Sequence, residues 1–195
     1  MNALNFFQNL NNFQMIIEFI QLTIHLIYLE ANSNNMQNAV DSIIQIILRS
    51  CSISEQLSEI ESKKLKLISM DFFNTIIEKN IIFHEESEFA IESVILDFLC
   101  NLIEFDSFDV ACSAFSTLSN AIISTSIGQF RPILKERIFE SIFKMVQCDN
   151  DELIIKAICT ILTIYQKSSA AGLSEEFAEL LLNGDFNTFE VIESN

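Results

Sequence analysis

Ala114-Phe115-Ser116-Thr117-Leu118 returns 43 residues later as Ala157-Ile158-Cys159-Thr160-Ile161, and a looser copy, Phe72-Phe73-Asn74-Thr75-Ile76, lies 42 residues before it. Between these copies a second phrase recurs: Ala39-Val40-Asp41-Ser42-Ile43-Ile44, Ala90-Ile91-Glu92-Ser93-Val94-Ile95 and Ile138-Phe139-Glu140-Ser141-Ile142-Phe143. Two interleaved apolar phrases in a unit of roughly 40–47 residues are the mark of stacked helical repeats, in which each unit hides its apolar face against the next.

The expected fold is therefore all-α: a right-handed armadillo/HEAT-like superhelix (solenoid) of about four to five repeats, one repeat domain over 1–195. Composition agrees. With 50% hydrophobic residues the core supply is ample, whereas three Gly and one Pro leave few residues suited to the tight turns of an all-β or doubly wound chain. Apolar periodicity predicts helices at about 13–29, 36–50, 63–79, 86–104, 107–125, 133–147, 151–167, 174–183 and 186–193. Residues 51–62 read as a polar connector or short helix. Asp106-Ser107 and Asp149-Asn150-Asp151 read as capping turns, and Pro132 suits the first turn of the helix it opens.

Charge narrows the function. The formal net charge is −16, and no Lys or Arg occurs between Lys79 and Arg131 or after Lys167. Such a chain repels phosphate backbones and anionic lipid and attracts basic partners, so nucleic acid and membrane are not expected partners. The one membrane candidate, Phe13 to Leu29, carries Gln14, Glu18, Gln21 and His25 on one helical stripe. It is short for a span, and it reads as a mostly buried helix with one wet edge. Five cysteines without a C-x-x-C pair read as reduced, buried thiols of the cytoplasm and nucleus.

No phosphate-cradling, nucleophile-elbow or zinc-protease motif occurs, so no enzyme and no cofactor is expected. His84 with Glu85, Glu86 and Glu88 is the cluster nearest to a metal pattern, but one imidazole among carboxylates at a helix start reads as a solvated first turn. Lys63, Lys64 and Lys66 read as a solvated face, and Arg131, Lys135, Arg137 and Lys144 as partners for neighbouring acids.

The helix at 107–125 places Asp109, Ser113, Ser116, Asn120 and Ser124 on one stripe, against Val110, Ala111, Ala114, Phe115, Leu118 and Ile122. One unit later Glu152, Lys156, Cys159, Thr163 and Lys167 form the wet stripe, against Leu153, Ile154, Ala157, Ile158, Ile161, Leu162 and Ile164. Stacked in parallel, these stripes would form a continuous concave binding face. The candidate peptide-binding groove is Asp109, Ser113, Ser116, Asn120, Lys156 and Thr163.

Residues 85–195 resemble the last armadillo repeats of the importin-α (karyopherin-α) family, while 1–84 resemble armadillo helices only generically. The resemblance rests on Ala114-Phe115-Ser116-Thr117-Leu118-Ser119-Asn120, on Arg137-Ile138-Phe139-Glu140-Ser141-Ile142, on residues 153–166, and on Ala171-Gly172-Leu173 followed by Glu179-Leu180-Leu181 and Glu190-Val191-Ile192-Glu193. It implies a nuclear import adaptor that binds basic linear peptides, with an importin-β-type transport receptor as a further partner. In that family a Trp stacks on a cargo lysine and an Asn holds the cargo backbone. Here Ser116 stands at the Trp position and Thr163 at the second Asn position, leaving Asn120. A basic N-terminal autoinhibitory segment is not found. The alternative is a non-transport armadillo or HEAT scaffold that binds another protein through apolar and acidic surfaces.

Overall fold

The computed structural model describes residues 13–29, 34–52, 57–79, 81 and 89–183, without the side chains of 34–39, 52, 89–92 and 183. Among the described residues every regular element is helical. The chain divides into two compact units, residues 1–82 and 83–195. Part of the 51–62 connector, the His84–Glu88 cluster and the helix expected at 186–193 lie outside the described residues.

In the first unit, helix α3 (Glu59–Glu78) packs against both α1 (Phe13–Leu29) and α2 (Asn34–Ser52). The polar stretch before α3 sets its start. The Glu61 backbone N–H donates to Ser58 Oγ at 3.3 Å while the Ser58 N–H donates to Glu61 Oε2 at 3.1 Å, a reciprocal capping box. The Ser58 hydroxyl also donates to Glu61 Oε2 at 2.7 Å, and this bond first, with the Ser58 N–H second, favours the ionised Glu61 carboxyl and holds its pKa below the ordinary value. The helix thus begins four residues before the expected 63. Ile17, Ile20 and Ile27 of α1, Val40, Ile43, Ile44 and Ile47 of α2 and Leu65, Phe72, Phe73, Ile76 and Ile77 of α3 are buried.

α1 corrects the sequence reading. Its bounds are as expected, but only Ile17, Ile20, Thr23 and Ile27 are buried. Exposure extends from the polar edge of Gln14, Glu18, Gln21 and His25 to Met15, Leu22, Leu26, Tyr28 and Leu29, so the helix is half solvated rather than mostly buried. Among the described residues no helix is long and apolar enough to cross a membrane.

The second unit contains α4 (Phe89–Phe105), α5 (Phe108–Ser124), two 3-10 turns (Ile127–Gln129 and Arg131–Ile133), α6 (Glu136–Val146), α7 (Asp151–Ala170) and α8 (Ser174–Asn183). α4 packs on α5 and α6 on α7, while α4 also lies beside α6 and α5 beside α7. Two antiparallel hairpins therefore stack with like helix against like. α8 continues the order by packing on both α6 and α7. Pro132 does not open α6. It sits in the second 3-10 turn, closed by Ile133 N–H to Phe130 O at 3.0 Å and Leu134 N–H to Arg131 O at 3.1 Å. The chain then extends through Lys135 (φ −124°, ψ 137°), the N-cap of α6.

The recurring threonine has one structural meaning in all three copies. Thr75, Thr117 and Thr160 are buried, and each hydroxyl donates to the carbonyl four residues earlier: Asp71 at 2.8 Å, Ser113 at 3.0 Å and Lys156 at 2.7 Å. A small polar side chain can enter a helix–helix contact only if its hydroxyl is satisfied, and this back-bond satisfies it locally.

Candidate functional site

The candidate face belongs to α5 and α7. Their contact is pinned by the buried hydroxyls of Ser119 and Thr160, 2.8 Å apart and 41 residues apart in sequence. Asp109, Ser113, Ser116 and Asn120 follow one another along α5, and Lys156 and Thr163 lie on α7. Asp109 is exposed in the first turn, and Ser113, Ser116 and Asn120 are half-buried. Lys156 and Thr163 are also half-buried, and the Thr163 hydroxyl donates to Cys159 O at 2.9 Å. Partial burial lowers the Lys156 pKa from its ordinary value. Between them the two helices supply hydroxyls, one amide, the exposed carboxylates of Asp109 and Glu152, and one partly desolvated amine. Such groups can exchange hydrogen bonds with an extended backbone and attract a cation at the Asp109 end.

Two acids of the stretch without Lys or Arg, Asp97 and Glu104, meet cations of the next hairpin instead. Lys135 Nζ donates to Ser93 Oγ at 2.7 Å and lies 3.9 Å from Asp97. Arg137 donates to Asn101 and lies 3.4 Å from Glu104, and Lys144 donates to the Glu104 carbonyl at 2.6 Å. α6 thus compensates α4, and Arg131 pairs with Glu176 of α8 at 2.8 Å. These contacts are exposed or half-exposed and contribute orientation more than stability, about 0–1 kcal/mol each.

Lys167 has a role that its place on the wet stripe does not suggest. Its Nζ donates to Ile122 O at 3.1 Å, Ile123 O at 2.6 Å and Thr125 O at 2.6 Å, and it lies 5.8 Å from the centre of the Phe130 ring. A cation thereby caps the C-terminal carbonyls of the preceding unit's helix, which offsets the burial that lowers its own pKa. The only sequence signal was the spacing of Lys167 from Ser124, one repeat length.

A second difference concerns the apolar side of α7. Ile158 and Leu162, expected on the covered face, are 47% and 53% exposed, as are Ile155 at 61% and Tyr165 at 52%. Steps of 3, 4 and 3 put the four on one helical stripe. The thiols also differ from the expectation of buried cysteines: Cys51 and Cys100 are buried, Cys112 and Cys148 half-buried, and Cys159 exposed. All five are free. Among the described residues no group of three or more His, Cys, Asp or Glu is placed to hold a metal ion.

Comparison with protein families, with curated proteins and with solved structures yields no match for this chain.

Proposed function

We propose that the chain is a protein-binding module of stacked helical repeats, with α4–α5 and α6–α7 as consecutive units of a right-handed armadillo/HEAT-like superhelix. The observation that carries this reading is a set of bonds between like helices that span about one repeat. Ser119 meets Thr160 at a separation of 41, Lys135 meets Ser93 at 42, and Lys167 reaches Ile122, Ile123 and Thr125 at 42–45. Stacked units generate an extended face suited to peptides and proteins rather than the enclosed, motif-bearing cleft of an enzyme.

The finer reading is an importin-α-like adaptor of the cytoplasm and nucleus, binding a basic linear peptide along α5 and α7 and an importin-β-type receptor elsewhere. Its support is the half-exposed amide side chain of Asn120 on α5 and the exposed carboxylates of Asp109 and Glu152. A fluorescence-anisotropy titration with a lysine-rich peptide tests it. Saturable, salt-sensitive binding that weakens about tenfold in Asn120→Ala is the expected result, in line with the loss of one or two hydrogen bonds. Binding that ignores both salt and this substitution sinks the adaptor reading. The alternative, a non-transport scaffold that engages a protein through an apolar surface, is favoured by the exposed stripe of α7.

A further inference from the structure

The stripe on α7 has a covered counterpart one repeat earlier. Moving Ile155, Ile158, Leu162 and Tyr165 back by 43 residues gives Cys112, Phe115, Ser119 and Ile122 of α5. Phe115, Ser119 and Ile122 are at most 1% exposed and Cys112 is half-buried. Ser119 is the residue that bonds Thr160, so this row of α5 faces α7. The same row of α7 holds four large side chains that are between 47% and 61% exposed, although α8 packs nearby through Phe177, whose ring centre lies 5.6 Å from that of Tyr165. In this fold the cover for such a row is a helix.

Charge decides which helix. Residues 149–183 contain Asp149, Asp151, Glu152, Glu175, Glu176 and Glu179 against Lys156 and Lys167. Lys167 is committed to the end of α5, Lys156 is half-buried and Glu176 is paired with Arg131, which leaves Asp149, Asp151, Glu152, Glu175 and Glu179 exposed. A second copy docking through the same face would bring the same excess of acids to the contact, and the chain's own residues 184–195 add Asp185, Glu190 and Glu193 without a Lys or Arg. Both are of the wrong sign for this rim.

We infer that the stripe Ile155, Ile158, Leu162 and Tyr165 is a docking surface for a basic amphipathic helix of a partner protein, whose apolar row covers α7 as α7 covers α5 and whose flanking Lys or Arg face the acids around it. This rests on the helical-repeat reading but is independent of the polar stripe and of Asn120. It names a helix as the ligand, whereas the adaptor reading needs an extended peptide.

The test titrates the full chain against a fluorescein-labelled 18-residue helical peptide with Leu on one stripe and Lys on both flanks. A scrambled peptide of the same composition and a second with Glu in place of Lys serve as comparators. Micromolar, saturable binding of the first peptide alone is expected, weakened about tenfold in Ile158→Ser/Leu162→Ser through lost apolar burial. Because these side chains are exposed, circular dichroism and thermal unfolding of the variant should match the parent. Equal binding of the scrambled peptide, equal binding of the Glu peptide, or indifference to the double substitution overturns the proposal. So does sedimentation showing a dimer that the substitution dissolves, which would assign the stripe to a second copy. Binding that arises only in Phe186→Ser/Phe189→Ser would assign it to the chain's own terminus and also overturns it. Failure here leaves the titration with the lysine-rich peptide and Asn120→Ala unaffected, and the converse holds.

Discussion

α5 and α7 carry the same recurring phrase and the same buried, back-bonded threonine, yet they live in different surroundings. α5 buries Val110, Ala111, Ala114, Phe115, Leu118, Ala121 and Ile122, whereas α7 buries Ala157, Thr160, Ile164 and Ser168 and exposes the row that includes Ile158. The ends differ too. α5 ends with the Thr125 N–H and hydroxyl bonded to Ala121 O at 2.9 and 2.7 Å and receives the Lys167 ammonium from outside, while α7 is closed by its own backbone alone, with Gly172 N–H bonded to Ser169 O at 3.2 Å and Leu173 N–H to Ser168 O at 2.8 Å around Gly172 at φ +73°. A helix between two neighbours can add a borrowed cation to its own cap.

The sharpest way to break this comparison is to truncate its matched aromatic and aliphatic positions. Phe115→Ala should cost about 3–5 kcal/mol in urea unfolding because it empties a fully buried site. Ile158→Ala should cost less than about 1 kcal/mol, since water already reaches half of that side chain. Similar losses at the two positions would mean that α7 is covered in solution.

Lys167→Met comes next in size. It keeps the aliphatic stem but strips a charged donor from three carbonyls, so a loss of about 1–3 kcal/mol is expected by the same unfolding measurement. Faster amide exchange should concentrate at the C-terminal end of α5 rather than of α7. Uniform acceleration through both helices would contradict a cap that acts on one of them.

Gly172→Ala should destabilise by about 1–2 kcal/mol, although nothing lies within 4 Å of an added Cβ. The strain is in the left-handed backbone, so it should affect the α7–α8 turn and leave α5 unchanged in hydrogen exchange. A neutral result would mean that the turn relaxes out of the left-handed region.

The smallest effect is expected at Ser168. Its hydroxyl is fully buried and has no hydrogen-bond partner among the described residues. Ser168→Ala should therefore be neutral or stabilise by up to about 1 kcal/mol in thermal unfolding, because an uncompensated polar group is removed. A clear loss would reveal a partner for this hydroxyl and make the α7 interior as well satisfied as that of α5.

Several elements were legible from residue order alone. The limits of α1, α5 and α8 fall within about a residue of the apolar periodicity, as expected where local pattern and packing agree. The Ser58–Glu61 box could have been read as a helix start, since a serine three residues before a glutamate at the head of an apolar run is a sequence signature. Pro132 misled because its fixed φ suits a 3-10 turn as well as a first helical turn. For the groove, spacing placed four residues along α5 and two on α7. Their half-buried state came from the contact between the helices, which no single stripe encodes.

Residue order by itself determined an all-helical chain and a phrase recurring at a spacing near 43, because the apolar pattern that marks a helix is local and the recurrence is written in the residues themselves. Tertiary structure alone decided that Phe115 is covered and Ile158 bare, and that Lys167 caps a helix more than forty residues away. The same amphipathic pattern permits either outcome, since burial depends on which distant surface arrives to displace the water.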